Sequence, residues 1–189
     1  MAALVDRLCW VHRTLHGDGE DILGRILLTI TQMLHDRGCH AVRTDPDPIG
    51  SIDAARPVVT ATGTAVFFCP DDKVGVRYLR TILATSVPVV IVVSIDGATH
   101  FTRKESEDRG VQFLLARDLV FNKTHHALVP RHTRVAHPPA GMDVADLPRL
   151  LLSDPIAQYY AWPVDTVVCV ERCFGGHEPI PYYRRVALS

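Results

Sequence analysis

Apolar residues in the first part of the chain recur at the three- and four-residue spacing of an α-helix. The residues that follow this spacing are Ile22, Ile26, Ile30, Met33 and Leu34. They would share one helical face, with Asp21 as the N-cap and Gly38 at the left-handed position that often follows a helix. Similar spacing predicts a helix over Val74–Leu83, and a weaker pattern predicts one over Leu4–Leu15.

Strand-like patterns lie between and after these helices. Val58–Thr62 and Ala65–Cys69 are rich in β-forming residues and flank Gly63, which predicts a hairpin. Pro88–Ile95 consists almost entirely of Val and Ile, which is typical of a strand covered on both faces. Val111–Leu115 predicts a further short strand.

The stretch around these last strands is less regular. Arg103–Arg109 predicts a short polar helix, and Leu119–Phe121 predicts a short strand-like piece. Strands that alternate with helices are typical of a layered α/β domain. We therefore expect residues 1–118 to form one domain, with a central sheet flanked by helices.

A smaller mixed α/β domain is expected for residues 119–189. Ala136–Asp146 is rich in proline and glycine and reads as a connecting loop. Asp154 is a suitable N-cap, and Pro155 after it favours the first position of a short helix. Thr166–Arg172 and Tyr182–Leu188 read as paired strands around a Gly-Gly loop. The fold class expected for the whole chain is α/β (α+β).

Composition and charge argue against three classes of protein, namely strong polyanion binders, membrane-spanning proteins and secreted proteins. The formal net charge is −1, which gives no global reason for strong binding to a polyanion. The apolar stretch from Val87 to Ile95 is too short to cross a bilayer, and the N-terminal sequence does not resemble a secretory signal. We expect a soluble intracellular protein. Its five scattered cysteines are then expected to be reduced and mostly buried.

Candidate chemistry is limited to one histidine cluster, formed by His125, His126, His132 and His137. Such residues can hold a metal or act as a general base, as in a small metal-dependent hydrolase or nuclease. Adjacent histidines on a strand point to opposite faces, however, so His125 and His126 would not share a metal. We favour rings that hydrogen-bond the backbone.

Two further features each have two interpretations. Arg149 follows a proline in an extended segment, where it suits a bidentate contact to a partner carboxylate or is simply a solvated charge. The aromatic residues Tyr159, Tyr160 and Trp162 suit an interface anchor. They equally suit the core of a small domain with few other large side chains.

The most distinctive strings lie in two neighbouring segments. The first contains Asn122-Lys123-Thr124-His125-His126 and Val129-Pro130-Arg131-His132, and the second contains Leu147-Pro148-Arg149 and Asp154-Pro155. Together they resemble the signature segments of the fifth common subunit of eukaryotic-type RNA polymerases, whose C-terminal half is the archaeal H subunit. Shorter similarities to that family lie at Asp36-Arg37-Gly38, Phe68-Cys69 and Val74-Gly75-Val76-Arg77.

The resemblance implies a non-catalytic subunit without cofactor or metal, since nucleotidyl transfer belongs to the large subunits. It implies an N-terminal jaw domain beside downstream duplex DNA, contacted weakly and without sequence specificity, and a C-terminal assembly domain. The implied partners are the largest subunit and neighbouring small subunits, with no membrane. The implied partner-interface residues are His125, His126, Val129, Pro130, His132, Pro148, Arg149, Asp154, Pro155, Tyr183 and Arg184. The implied DNA-proximal loop comprises Thr99, His100, Thr102, Arg103 and Lys104.

The chain departs from the family pattern in several places. The connection Ala136–Asp146 is shorter, and the family's glycine-lysine-arginine-glycine turn is replaced by residues of Ala161–Asp165. These departures suggest a divergent member, such as one encoded by a large DNA virus. The expected location is the nucleus, or the virion and host cytoplasm for a viral member. The alternatives are a hydrolase or nuclease that uses the histidines from His125 to His137, and a free-standing DNA-binding module.

Overall fold

The computed structural model describes residues 22–48, 52, 55–172 and 178–188. The expected Leu4–Leu15 helix, the Asp21 cap and the Gly175-Gly176 loop lie outside these residues. The chain divides into two compact units, residues 1–121 and residues 122–189. Each contains a sheet with helices against it, so the α/β (α+β) fold class is confirmed. Among the described residues, no helix has the length and apolar character needed to span a bilayer.

The first unit is built on a five-stranded sheet in the order β1-β2-β3-β4-β5. Its strands are β1 (Arg43–Thr44), β2 (Val59–Ala61), β3 (Thr64–Phe68), β4 (Val89–Ser94) and β5 (Val111–Leu115). The first three pair antiparallel, and β3, β4 and β5 pair parallel. Gly63 turns the β2–β3 hairpin with a φ of +71°, a conformation that glycine adopts without strain. The predicted hairpin and the doubly covered strand β4 are confirmed.

Three helices of the first unit are described, α1 (Ile22–Asp36), α2 (Val76–Leu83) and α3 (His100–Ser106). The five apolar residues predicted for one face of α1 are all buried. Helix α1 ends at the predicted place, because Gly38 has a φ of +79° and its N–H donates to His35 O at 2.9 Å. Helix α2 buries Leu79 and Ile82 against strand residues such as Phe67 and Val92.

Several element ends differ from the sequence prediction by a few residues, and two differences change an interpretation. Helix α3 begins at His100 rather than Arg103, because Thr99 caps it and accepts a hydrogen bond from Thr102 N. The strand-like interpretation of Leu119–Phe121 was wrong. Strand β5 ends at Leu115, whose register partner Ser94 is the last residue of β4, and a 3-10 helix follows over Ala116–Leu119.

The second unit contains a four-stranded sheet in the order β6-β8-β9-β7. Its elements are β6 (Arg131–Val135), β7 (Arg149–Leu151), α4 (Pro155–Tyr160), β8 (Val167–Arg172) and β9 (Ile180–Ala187). Strands β6, β8 and β9 pair antiparallel, as predicted for the last two, and β7 pairs parallel with β9. One sheet face packs on α4 through Leu150, Val168, Val170 and Val186.

The aromatic residues after α4 belong mainly to this core. Tyr159 and Trp162 are buried, and the half-buried Tyr160 stacks on Trp162 with ring centroids 4.7 Å apart. The core interpretation is therefore correct for Tyr159 and Trp162. Packing of this kind supplies the large side chains that a domain of this size needs.

The turn that departs from the family pattern has two left-handed residues. Ala161 ends α4 with a φ of +52°, and Asp165 has a φ of +68°. Both conformations favour glycine, although aspartate tolerates them better than alanine does. Asp165 also accepts a hydrogen bond from Arg185 Nη1 at 3.2 Å.

Three of the cysteines lie in the described residues, and all three are free thiols. Cys69 and Cys169 are buried and Cys39 is half-buried, in agreement with the expectation of reduced, mostly buried cysteines. Burial raises the pKa of Cys69 to about 11, so its thiol stays protonated at neutral pH. Cys9 and Cys173 lie outside the described residues.

Candidate partner interface

Asn122 organises the segment that carries four of the eleven predicted interface residues, His125, His126, Val129 and Pro130. Its side-chain oxygen accepts hydrogen bonds from Thr124 N at 3.0 Å and Thr124 Oγ1 at 2.6 Å. Its amide nitrogen donates to the hydroxyl of Tyr159 on α4 at 3.0 Å. One side chain thus caps the 3-10 turn Lys123–His125 and fixes that turn to the helix. Sequence reasoning gave Asn122 no role.

The adjacent histidines lie in this turn rather than on a strand, so the strand argument applied to them was wrong. His125 and His126 are both exposed. His126 Nδ1 accepts a hydrogen bond from Leu128 N at 3.2 Å, and His132 Nδ1 lies 2.7 Å from Pro130 O. Two of the four histidines therefore hydrogen-bond the backbone, as we favoured. Within the described ranges, no group of three or more His, Cys, Asp or Glu residues is arranged to hold a metal.

Val129 and Pro130 connect this turn to the sheet. Val129 packs against the core between the sheet and α4, and Pro130 is half-buried. Both line a cleft of about 660 Å³, together with Glu171, Arg172 and Pro179. Leu128 also lines this cleft and is 86% exposed. The cleft therefore combines apolar and charged side chains at the surface of the second unit.

Asp154 and Pro155 form the start of α4, as predicted. Asp154 Oδ1 accepts a hydrogen bond from Ile156 N at 2.8 Å, and Pro155 occupies the first turn. Pro155 is exposed and Asp154 is half-buried. The carboxylate thus stabilises the helix directly, and its contribution to an interface is limited to the edge that it leaves exposed.

The sheet face opposite α4 brings together two predicted residues and one that was missed. Side chains alternate along a strand, and Leu150 and Val186 point into the core. Arg149 precedes Leu150, and Arg185 precedes Val186, so both arginines point to the opposite face. They are also register partners across β7 and β9. Tyr183 lies on that face too, two residues before Arg185. The sequence offered only this two-residue spacing as a signal for Arg185, because nothing in it gave the register of β7.

The remaining predicted residues of these two strands do not join this face. Arg184 alternates with Arg185 and its Nη1 donates to the backbone oxygen of Arg149 at 3.1 Å. Pro148 is exposed, and its carbonyl accepts from Arg185 N at 3.0 Å. Arg184 and Pro148 therefore help to hold β7 beside β9.

Partial burial and the neighbouring Cys169 raise the pKa of Tyr183, which keeps its hydroxyl neutral.

The predicted DNA-proximal loop is the first part of helix α3, which corrects its interpretation as a loop. Thr102 is fully buried, and its hydroxyl donates to Val74 O at 2.8 Å. It therefore positions the segment and cannot itself reach a phosphate. His100, Arg103 and Lys104 are exposed, and Thr99 is half-buried. Arg103 Nε donates to Ala98 O at 3.3 Å, which ties part of its guanidinium to the chain.

Helices α2 and α3 are joined by an ion pair next to these cations. Arg80 Nε and Nη2 donate to the two carboxylate oxygens of Glu105 at 2.6 and 3.0 Å. This hydrogen bonding lowers the pKa of Glu105. Arg80 is thereby neutralised, whereas Arg77 on the same helix is exposed. The positive charge available near α3 is consequently small.

The amino-acid sequence is similar to that of two nematode proteins. It is 26% identical over 186 residues to "DNA-directed RNA polymerases I, II, and III subunit RPABC1" of Caenorhabditis briggsae, and equally so to the Caenorhabditis elegans protein of that name. Each alignment covers 79% of this chain and 88% of the relative. No family model matches the chain. Because residues 1–121 make up under two thirds of the 189 residues, the alignment must include both units.

Proposed function

We propose that this protein is a non-catalytic subunit of a multisubunit DNA-directed RNA polymerase. The observation that carries the proposal is the similarity to RPABC1 from two nematodes, which extends over 79% of the chain and therefore into both units. A similarity confined to one unit would support only a shared domain. The two signature segments of the sequence resemble the same family.

The second unit is the proposed assembly domain, which docks on the largest polymerase subunit. Its support is the set of exposed residues along the Asn122–Pro130 segment and on the sheet face that carries Arg149. Leu128 lies in that segment, Leu151 lies on that face, and Val164 lies in the turn before β8; their side chains are 86, 44 and 41% exposed, respectively. Apolar side chains beside arginine are common at the centres of protein interfaces.

The first unit is the proposed jaw domain, which lies near downstream duplex DNA. Its support is the exposed start of α3, where His100, Arg103 and Lys104 follow the buried strand β4. So few cations provide only a weak, sequence-independent attraction to phosphate. Stable positioning on DNA would therefore come from the rest of the enzyme.

Affinity purification of the full chain from its native source tests the assignment. We expect the two large polymerase subunits to co-purify in stoichiometric amounts, and the purified chain alone to have no nucleotidyltransferase activity. Imaging of the tagged chain would separate a nuclear location from one in virions and host cytoplasm. A stable preparation without any polymerase subunit would overturn the proposal.

A further inference from the structure

The starting point is a pair of arginines on the second sheet, Arg149 and Arg185, here called the arginine pair. They are register partners on the parallel strands β7 and β9 and share the face opposite α4. Adjacent strands lie about 4.8 Å apart. The two side chains therefore leave neighbouring backbone positions on one face, and like charges placed that close are unfavourable unless negative charge balances them.

The described chain supplies one carboxylate to this pair. Arg185 Nη1 donates to Asp165 Oδ1 at 3.2 Å. Arg185 Nε is buried and has no hydrogen-bond partner among the described residues. Arg149 is exposed, and its guanidinium makes no hydrogen bond or ion pair within the described part of the chain. The pair thus has donor capacity and one positive charge that these residues leave unused.

We propose that the arginine pair binds an aspartate or glutamate side chain of a neighbouring polymerase subunit. This inference rests on the proposed function and names the chemistry of the docking site. The planar fork of a guanidinium matches a carboxylate in bidentate geometry. One incoming carboxylate also brings Arg149, Arg185 and Asp165 to electrical neutrality.

A nucleic-acid backbone is a poorer occupant of the same site. Asp165 lies within it, and its negative charge repels a run of phosphates. Binding to nucleic acid depends on several phosphates being neutralised together, whereas the arginine pair with Asp165 carries one net positive charge. The charge balance therefore favours a single acidic side chain.

The flanks of the arginine pair suit a partner segment that is apolar next to its acidic residue. Leu151 lies two residues after Arg149 and so shares its sheet face, and Val164 precedes Asp165. Their side chains are 44 and 41% exposed. When such residues are covered, water leaves the ion pair and its electrostatic attraction becomes stronger.

The test compares tagged full-length chains purified from the native source through washes of rising salt. R149Q carries the test, because Arg149 is exposed and has no partner whose loss would unfold the chain. We expect R149Q and R185Q to retain at least about tenfold less polymerase than the wild type at moderate salt. The matched control is R134Q, which removes an exposed arginine from β6, where alternation puts it on the other face of the same sheet.

A second measurement identifies the bound group. In R149K the new amine can be joined to a contacting carboxylate by a carbodiimide, and we expect the linked peptide to contain an acidic residue of a polymerase subunit. R134K should give no such product. Nuclease treatment before the washes should leave retention of the wild type unchanged.

The outcomes separate the two proposals. If polymerase subunits co-purify equally with R149Q, R185Q and R134Q, the carboxylate site is wrong and the proposed function stands. If the wild type instead captures a different complex in an Arg149-dependent way, the site stands and the proposed function is wrong. Capture of no protein overturns both, and nuclease-sensitive retention that depends on Arg149 replaces the carboxylate with phosphate.

Discussion

At the scale of single residues, Ala161 is held in an unfavourable backbone conformation. It has a φ of +52° at the end of α4, where its N–H donates to Ala157 O and Gln158 O. The left-handed region crowds the Cβ of an L-residue and costs about 1 kcal/mol, a cost that glycine avoids. Tyr160 and Trp162, on either side of Ala161, stack on one another, and this contact favours the turn in spite of that cost.

Ala161→Gly should therefore stabilise the second unit. We expect the free energy of unfolding to rise by about 0.5–1 kcal/mol, because relief of the left-handed strain exceeds the added flexibility of the unfolded chain. Urea unfolding followed by the fluorescence of Trp162, in a Trp10→Phe background, measures the change.

Ala84→Gly is the matched control. Ala84 also ends a helix and is exposed, but its φ is −66°. Glycine relieves nothing there, so the first unit should lose a few tenths of a kcal/mol. Because Trp162 lies in the second unit, this loss is measured by the far-UV circular dichroism of the same unfolding experiment. A loss of stability in Ala161→Gly as large as that in Ala84→Gly would show that the positive φ carries no strain.

At the scale of elements, the 3-10 turn Lys123–His125 depends on Asn122 for its connection to α4. Asn122→Ala removes the acceptor for Thr124 and the donor to Tyr159 together. We expect it to destabilise the second unit by about 1–3 kcal/mol, since capping and a partly buried hydrogen bond are both lost. Tyr159→Phe removes the hydroxyl that accepts from Asn122, leaves the cap on Thr124 in place, and should cost about 0.5–1.5 kcal/mol.

The double variant distinguishes a shared contact from two independent ones. If Asn122 and Tyr159 act through their mutual hydrogen bond, adding Tyr159→Phe to Asn122→Ala should cost clearly less than Tyr159→Phe costs alone. Denaturant unfolding of the four chains measures this coupling. Fully additive costs would mean that the Asn122–Tyr159 bond does not hold the turn to the helix.

Local patterns predicted those elements whose stability is decided locally. The face of α1, the hairpin at Gly63, strand β4 and the Asp154 cap of α4 all follow from residue spacing, a tight turn or a side-chain acceptor. Helix α3 was placed three residues late, because Thr99 was read as part of a loop although its hydroxyl caps a helix. In each of these cases, the deciding atoms lie within a few residues of one another.

The candidate site could not be predicted in the same way, because long-range pairing creates it. Nothing near Arg149 in sequence indicates that β7 pairs with a strand 36 residues later, which is what sets Arg149 beside Arg185. Likewise, the hydroxyl of the buried residue Thr102 donates to the backbone oxygen of Val74, which lies in a distant part of the chain. The family resemblance supplied Arg149 and Tyr183 but contained no reason to choose Arg185.

At the scale of the whole molecule, charge determines how strongly the isolated chain can bind DNA. The formal net charge is −1, and near α3 the ion pair with Glu105 neutralises Arg80. Exposed Arg77, Arg103 and Lys104 remain as the cations of α2 and α3 that face solvent. Three phosphate contacts would give a salt dependence with a slope of at most about −3. A protein with that few phosphate contacts would need partners to stay bound to DNA.

The isolated full chain should therefore bind duplex DNA only at low salt. We expect a Kd weaker than about 100 µM near physiological ionic strength, beyond the usual range of non-specific binders. Replacing Arg103 and Lys104 together by glutamine should reduce the low-salt affinity and lower the salt slope by up to about 2, as measured by fluorescence anisotropy. The control R43Q/R56Q makes the same charge change at exposed residues outside α3. Micromolar binding at physiological salt would instead favour a free-standing DNA-binding module, and equal effects of the two double variants would remove α3 from the proposed DNA contact.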